Sequence, residues 1–165
     1  MDLKRLARHL LRSHWYARHA FPSTTMTDIG SAITAAERSH AGEIRFAVED
    51  SLDPRALLRG QTPHERAIEV FSNLRVWDTQ DNNGVLVYVL LADHAVEIVA
   101  DRGIHAQVGA DAWHAICHDI EVTFKIGNFR LGALAGIDAL ARVLHRYYPR
   151  EGSDGDELPD QPVLL

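Results

Sequence analysis

Between Trp77 and Val85 the chain reads Asp78-Thr79-Gln80-Asp81-Asn82-Asn83-Gly84, which gathers several oxygen-bearing side chains into one short turn. Hard cations such as Ca²⁺ and Mg²⁺ take oxygen ligands, and neighbouring carboxylates repel each other unless a positive charge lies between them. The EF-hand loop is a sharp test of that chemistry. With Gly84 at its sixth position, Thr79, Asp81 and Asn83 fall at the first, third and fifth. The twelfth, which requires a bidentate Glu, is Leu90. This is not an EF-hand. Asp and Asn also favour turns for conformational reasons alone, so the turn by itself leaves a ligand set and a plain turn both open.

A second acidic position changes the weighing. Val85–Leu91 is an apolar run without alternation, as expected of a central strand covered on both faces. Ala92-Asp93-His94 turns the chain into Ala95–Ala100, another strand rich in Val and Ile. Antiparallel pairing of the two brings Asp101, in Asp101-Arg102-Gly103, back beside Gly84. Carboxylates then converge on one edge of a sheet, where ligands commonly bind. The candidate metal ligands are Asp78, Asp81, Asn83 and Asp101, with Ca²⁺ or Mg²⁺ as the ion. Arg102, Gly84 and Gly103 are weaker candidates for phosphate or substrate contact; the alternative is an Asp101–Arg102 surface pair without a role.

Other reactive residues carry less. His114 and His118 stand four apart on an expected helix with Cys117 between them, a spacing that can hold Zn²⁺ from one face. The zincin pattern needs Glu directly after the first His, and that position is Ala115. Structural or solvent-exposed histidines, and Cys117 as a small core residue, are the expectation. No G-x-S-x-G turn and no Gly-rich phosphate loop occurs, and no catalytic residue is assigned.

Around these sites the elements run in a clear order. A basic amphipathic helix occupies about 2–19, its Leu3, Leu6, Ala7, Leu10 and Leu11 at helical spacing, and Phe21-Pro22 ends it. A second helix is expected near 26–40 after the capping residues Ser23-Thr24-Thr25. Ile44, Phe46 and Val48 alternate with Glu43, Arg45, Ala47 and Glu49 as a strand. Asp53-Pro54 opens a short helical or loop segment, and Thr62-Pro63-His64-Glu65 is a helix start with a capping Thr and a first-turn acid. Two long helices come last, over about 110–124 and 129–147. This order suits a three-layer α/β/α sandwich with helices on both faces of a mixed central sheet.

The chain of 165 residues allows one well-buried core. A net charge of -6 argues against nucleic acid as a partner. One cysteine allows no internal disulfide, and no apolar run reaches the roughly 18 residues of a transmembrane helix. No secretory signal is apparent, so the expected location is the cytoplasm. The first twenty residues are basic and residues 149–165 are acidic with Gly and Pro. The expected organisation is therefore a basic helix within 1–20, a domain over 21–148 and a flexible acidic tail over 149–165. The basic helix is expected to pack its leucines on the domain or a partner, or else to lie on the inner membrane as a peripheral adaptor.

Four segments together resemble the TPM domain, named after thylakoid-lumen, photosystem-repair and receptor-modulator proteins. Gly42–Val48 is similar to the family's first strand. Asp81-Asn82-Asn83-Gly84-Val85-Leu86-Val87-Tyr88-Val89 is similar to its D-N-G-V-L-L-x-V motif, with one extra Asn. Val96–Ile104 resembles the strand that ends in a Gly turn, and Phe124–Gly132 the F-x-x-G-x-[FY]-x-x-G step into the last helix. The resemblance covers about 25–147 and implies an α/β/α sandwich. It also implies a divalent cation, usually Ca²⁺, near the D-N-G turn, with Asp81, Asn83 and Gly84 matching the motif. Acid phosphatase activity belongs to a plant branch, and many bacterial relatives are exported and membrane-anchored, features this sequence does not show. The leading expectation is a cation-binding accessory domain acting through a protein partner. A metal-dependent phosphatase and a peripheral membrane adaptor are the alternatives.

Overall fold

The apolar run that begins at Gly84 needs cover on both faces, and the fold supplies it. A computed structural model describes residues 3–11, 14–150 and 157–165. The elements are α1 (Leu3–Leu11), α2 (His14–Ala20), α3 (Ser23–Glu37), β1 (Glu43–Glu49), α4 (Pro54–Leu58), α5 (Pro63–Asn73), β2 (Gly84–Leu90), β3 (Ala95–Ala100), α6 (Arg102–Val108), α7 (Ala110–Lys125), α8 (Phe129–Tyr147) and β4 (Val163–Leu164). A 3-10 turn over Leu91–Asp93 joins β2 to β3. The sheet order is β3-β2-β1-β4, with β1 parallel to both β2 and β4 and β3 antiparallel to β2.

Alternate residues of the strands feed two cores. Val85, Val87 and Val89 join Ile44, Phe46 and Val48 beneath α3, α7 and α8. Leu86, Tyr88 and Leu90 join Ala47 against α4 and α5. This is the α/β/α sandwich that the order of elements implies. Thr62 and Glu65 form a reciprocal capping box at α5, Glu65 N–H to Thr62 Oγ1 at 3.1 Å and Thr62 N–H to Glu65 Oε2 at 2.8 Å.

Several local expectations change. α3 begins at Ser23, with Pro22 at the N-cap position and no side-chain cap. The basic segment is helical over α1 and α2; residues 12 and 13, between them, lie outside the described residues. A short helix, α6, comes directly after Asp101 where sequence suggests only a turn. The tail also differs. Residues 151–156 lie outside the described residues, but Val163 and Leu164 pair with Ala47 and Val48 as an edge strand rather than a flexible end. The segment leading into that strand helps β1 bury charged side chains on its polar face. Glu43 takes the Glu157 and Leu158 amides at 3.3 and 3.0 Å, and Arg45 donates to the Gln161 carbonyl at 3.3 Å. Farther along, Glu49 accepts from Arg66 at 2.9 and 3.0 Å and from the Tyr88 hydroxyl at 2.6 Å. Burying a carboxylate is costly without such partners. Among the described residues no helix is long and apolar enough to cross a membrane.

Candidate cation site at the sheet edge

The hairpin register runs from Leu90–Ala95 to Val85–Ala100. Its last rung is the Asp101 amide donating to the Gly84 carbonyl at 2.9 Å. Asp101 is therefore brought to the start of β2, as antiparallel pairing requires. It is also the N-cap of α6, where its Oδ1 accepts the Arg102 amide at 2.6 Å. The other carboxylate oxygen, Oδ2, is buried with no hydrogen-bond partner.

The acid turn folds onto that position. Asn82 adopts a left-handed backbone, φ 51°, which Asn tolerates better than most residues. Its carbonyl accepts the Ile104 amide at 3.2 Å, so the extra Asn of the motif is the residue that docks the turn against α6. Asn83 is buried: its amide donates to Thr79 Oγ1 at 3.2 Å and its Nδ2 to the Ala41 carbonyl at 2.8 Å. Its Oδ1, like Asp101 Oδ2, is buried and unpartnered. Buried polar atoms are nearly always satisfied, so two orphaned acceptors on adjoining segments mark the place as unusual. Both are oxygens, the donor type that hard cations take.

Tyr148, at the end of α8, completes the corner. Its carbonyl accepts the Ala41 amide at 2.9 Å and its hydroxyl accepts from Gln107 Nε2 at 3.2 Å. Burial raises its phenol pKa, and the negative charges of Asp81 and Asp101 raise it further. The phenol thus keeps its proton rather than serving as a base. Sequence reasoning missed Tyr148, because nothing local links a helix end to a turn more than sixty residues earlier.

The other expected residues fall less centrally. Asp81 is exposed on the turn, close enough to Tyr148 for its charge to be felt. Asp78 is also exposed, and its amide closes a separate turn onto the Arg75 carbonyl at 2.9 Å. Among the described residues no three His, Cys, Asp or Glu side chains converge tightly enough to hold a metal ion. A cation here would need amide and main-chain carbonyl oxygens beside the carboxylates. Arg102 points an exposed side chain to solvent. The glycines have a steric role. A Cβ on Gly84 would lie 2.0 Å from the Val76 carbonyl oxygen, and one on Gly103 would lie 2.6 Å from that of Asn82.

The histidines of α7 lie elsewhere. His114, Cys117 and His118 line a groove of about 470 Å³ along the free edge of β3, together with His105 and Glu97. Glu121 accepts the Val96 amide there at 3.0 Å, capping an edge N–H. Burial pushes the Cys117 thiol up to about 12, which makes it inert as a nucleophile.

Fold and corner together define a class: a three-layer α/β/α domain with acidic residues and buried acceptor oxygens near the start of β2 and the end of β3. The TPM domain matches residues 17–143, and the chain belongs to that family. The BA42 protein of the psychrophilic bacterium Bizionia argentinensis has a similar solution structure, with 33% identity and a TM-score of 0.77 over 88% of this chain and 95% of that one. The N-terminal domain of a P. gingivalis protein shares the fold at 19% identity and a TM-score of 0.63, over 80% of this chain and 83% of its own. No curated protein matches.

Proposed function

We propose that this TPM domain is an accessory domain that binds a divalent cation at the Asp81/Asp101 corner and acts through a protein partner. The observation that carries the reading is the pair of orphaned buried oxygens, Asp101 Oδ2 and Asn83 Oδ1. With the exposed Asp81 carboxylate and turn carbonyls they offer a mixed oxygen set of the kind Ca²⁺ accepts, leaving room for water. Asp78 would join only by a shift of the exposed turn. Bound there, a cation would supply the positive charge that the two carboxylates lack.

The corner is poor in groups for catalysis. Tyr148 keeps its proton, Arg102 is turned outward, and the only thiol lies in another groove. That favours binding over a phosphatase. Calorimetric titration with Ca²⁺ and Mg²⁺ tests it, comparing the wild type with Asp101→Asn, which keeps the helix cap. Saturable binding weakened about tenfold or more (~1.4 kcal/mol) by the substitution is expected. An absence of binding in the wild type overturns the reading. Aryl phosphate hydrolysis that requires both metal and Asp81 would replace it with the phosphatase.

A further inference from the structure

α1 is fastened to the domain by Arg5 and His9, and of its leucines only Leu6 packs against the core. Arg5 grips Asp93 with Nε at 2.9 Å and Nη2 at 2.7 Å, and also donates to the Gln61 carbonyl at 2.8 Å. His9 is buried; its Nδ1 accepts the Leu52 amide at 3.0 Å, which leaves the proton on Nε2, 3.0 Å from Asp93 Oδ1. Arg8 adds a longer contact at 3.5 Å. Although burial alone would raise it, these bonds hold the Asp93 carboxyl below its ordinary range. The helix is therefore clamped in one orientation about its axis.

At roughly 100° per residue, Arg5, His9 and the half-buried Leu6 share the docked side. Leu3, Ala7, Leu10 and Leu11 share the other, with Lys4 and Arg8 along its margin. Leu3 is 69% exposed, Leu10 58% and Leu11 85%. Just beyond, on α2, Trp15 is 70% exposed and stacks on His19 with ring centroids 5.3 Å apart. Tyr16 and His19 line a groove shared with Arg130 and Leu131 at the α7–α8 turn, where Ile126 is exposed as well. A soluble face of this kind is not what folding alone selects, since leucines turned to water gain nothing. Of the leucines expected from sequence to pack on the domain or on a partner, Leu6 packs on the domain, whereas Leu3, Leu10 and Leu11 do not.

Charge decides what fits the face. Residues 3–27 contain no Asp or Glu, in a chain whose net charge is -6. Lys4 and Arg8 flank the leucines at helical spacing on α1, Arg18 stands one turn from Trp15 on α2, and Lys125 ends α7; all four are exposed. An apolar stripe bordered by cations with a tryptophan at its rim matches the interface of an anionic bilayer, where Leu enters the acyl boundary, Trp sits at the headgroups and Lys and Arg meet phosphates. We propose that α1 and α2 dock this domain on an anionic lipid surface, with Leu3, Leu10, Leu11 and Trp15 inserted. Asp93 lies just past the end of β2 and Gly84 at its beginning, about 20 Å apart for a strand of this length. Lipid contact and the carboxylate corner occupy opposite ends of the sheet, so neither proposal depends on the other.

Co-flotation of the full chain with vesicles of phosphatidylcholine, alone or with phosphatidylglycerol, is the test. Binding only to the anionic vesicles, weakened by salt, is expected. Leu11→Glu and Arg18→Glu, both at exposed positions, should each lower it about tenfold or more. Brominated lipid should quench the fluorescence of a Trp77→Phe protein and lose that effect when Trp15→Phe is added. No binding to anionic vesicles at low salt, or binding indifferent to Leu11→Glu, overturns the proposal. A dimer in sedimentation that Leu11→Glu abolishes, without vesicle binding, also overturns it and assigns the face to a second copy of the chain.

Discussion

Asp101 and Gly84, seventeen positions apart, are joined by a 2.9 Å hydrogen bond from the amide of the first to the carbonyl of the second. That rung closes the β2–β3 hairpin and fixes the Asp101 carboxylate beside the acid turn. Everything proposed for the corner depends on that closeness.

Gly103 maintains the same approach from the other side. In Gly103→Ala the new methyl would meet the Asn82 carbonyl oxygen at 2.6 Å and that of Asp81 at 3.1 Å. The turn must move away from α6, separating Asp81 and Asn83 from Asp101. The expected result is a loss of about 1–3 kcal/mol in denaturant unfolding together with weaker Ca²⁺ or Mg²⁺ binding than wild type by calorimetry.

Stability should depend on pH through two buried groups of opposite sign. Burial pushes Glu37 up to about 9, opposed by its hydrogen bond from the Ile44 amide and helped by the charge of Glu43. The folded state then holds a proton that the unfolded state releases. Stability from this group is full below about 4.5 and is lost as pH rises through about 9. His40 is pushed by burial down to about 4, so its stability is full above 6.5 and is lost as pH falls towards 4. From these two groups a plateau is expected between about 4.5 and 6.5 and a decline above it. In Glu37→Gln, whose amide oxygen can still accept from Ile44, the alkaline decline should disappear. Urea unfolding at a series of pH values measures both profiles.

The last residues should be structural. Removing 157–165 takes away the Glu157 and Leu158 amides that Glu43 accepts, the Gln161 carbonyl that Arg45 meets, the buried Leu158 and the strand that covers β1. Two buried charged groups would lose those hydrogen bonds at an open sheet edge, which is costly. The truncated chain is expected to unfold at markedly lower denaturant and to self-associate with concentration. Equilibrium unfolding with light scattering would show this.

The parts legible in the sequence are those whose cause is local. The Thr62–Glu65 capping box involves neighbours three apart, and α5 starts where those residues stand. The unalternating run in β2 reports burial on both faces directly. The hairpin arises from a short turn between two apolar runs, and with it the return of Asp101 to Gly84. Family membership is readable too, because its motifs lie on those same elements. At the corner, the types and spacing of Asp81, Asn83 and Asp101 mark them as candidates. Tyr148 carries no such mark, since only the packing of α8 brings its ring towards their charges.

Partners far apart in sequence decided the rest. The leucine spacing of α1 established an amphipathic helix, but not which side would be docked. Asp93 chose that side by gripping Arg5, 88 residues away, and so turned Leu3, Leu10 and Leu11 outward while Leu6 packs inward. The acidic composition near the C-terminus suggested a tail. Glu43 holds it instead, taking the Leu158 amide across 115 residues, and Val163 and Leu164 then pair with β1 as an edge strand. Periodicity records which residues share a face. Which neighbour that face meets depends on buried ion pairs and amides whose burial exists only once the whole sandwich has closed.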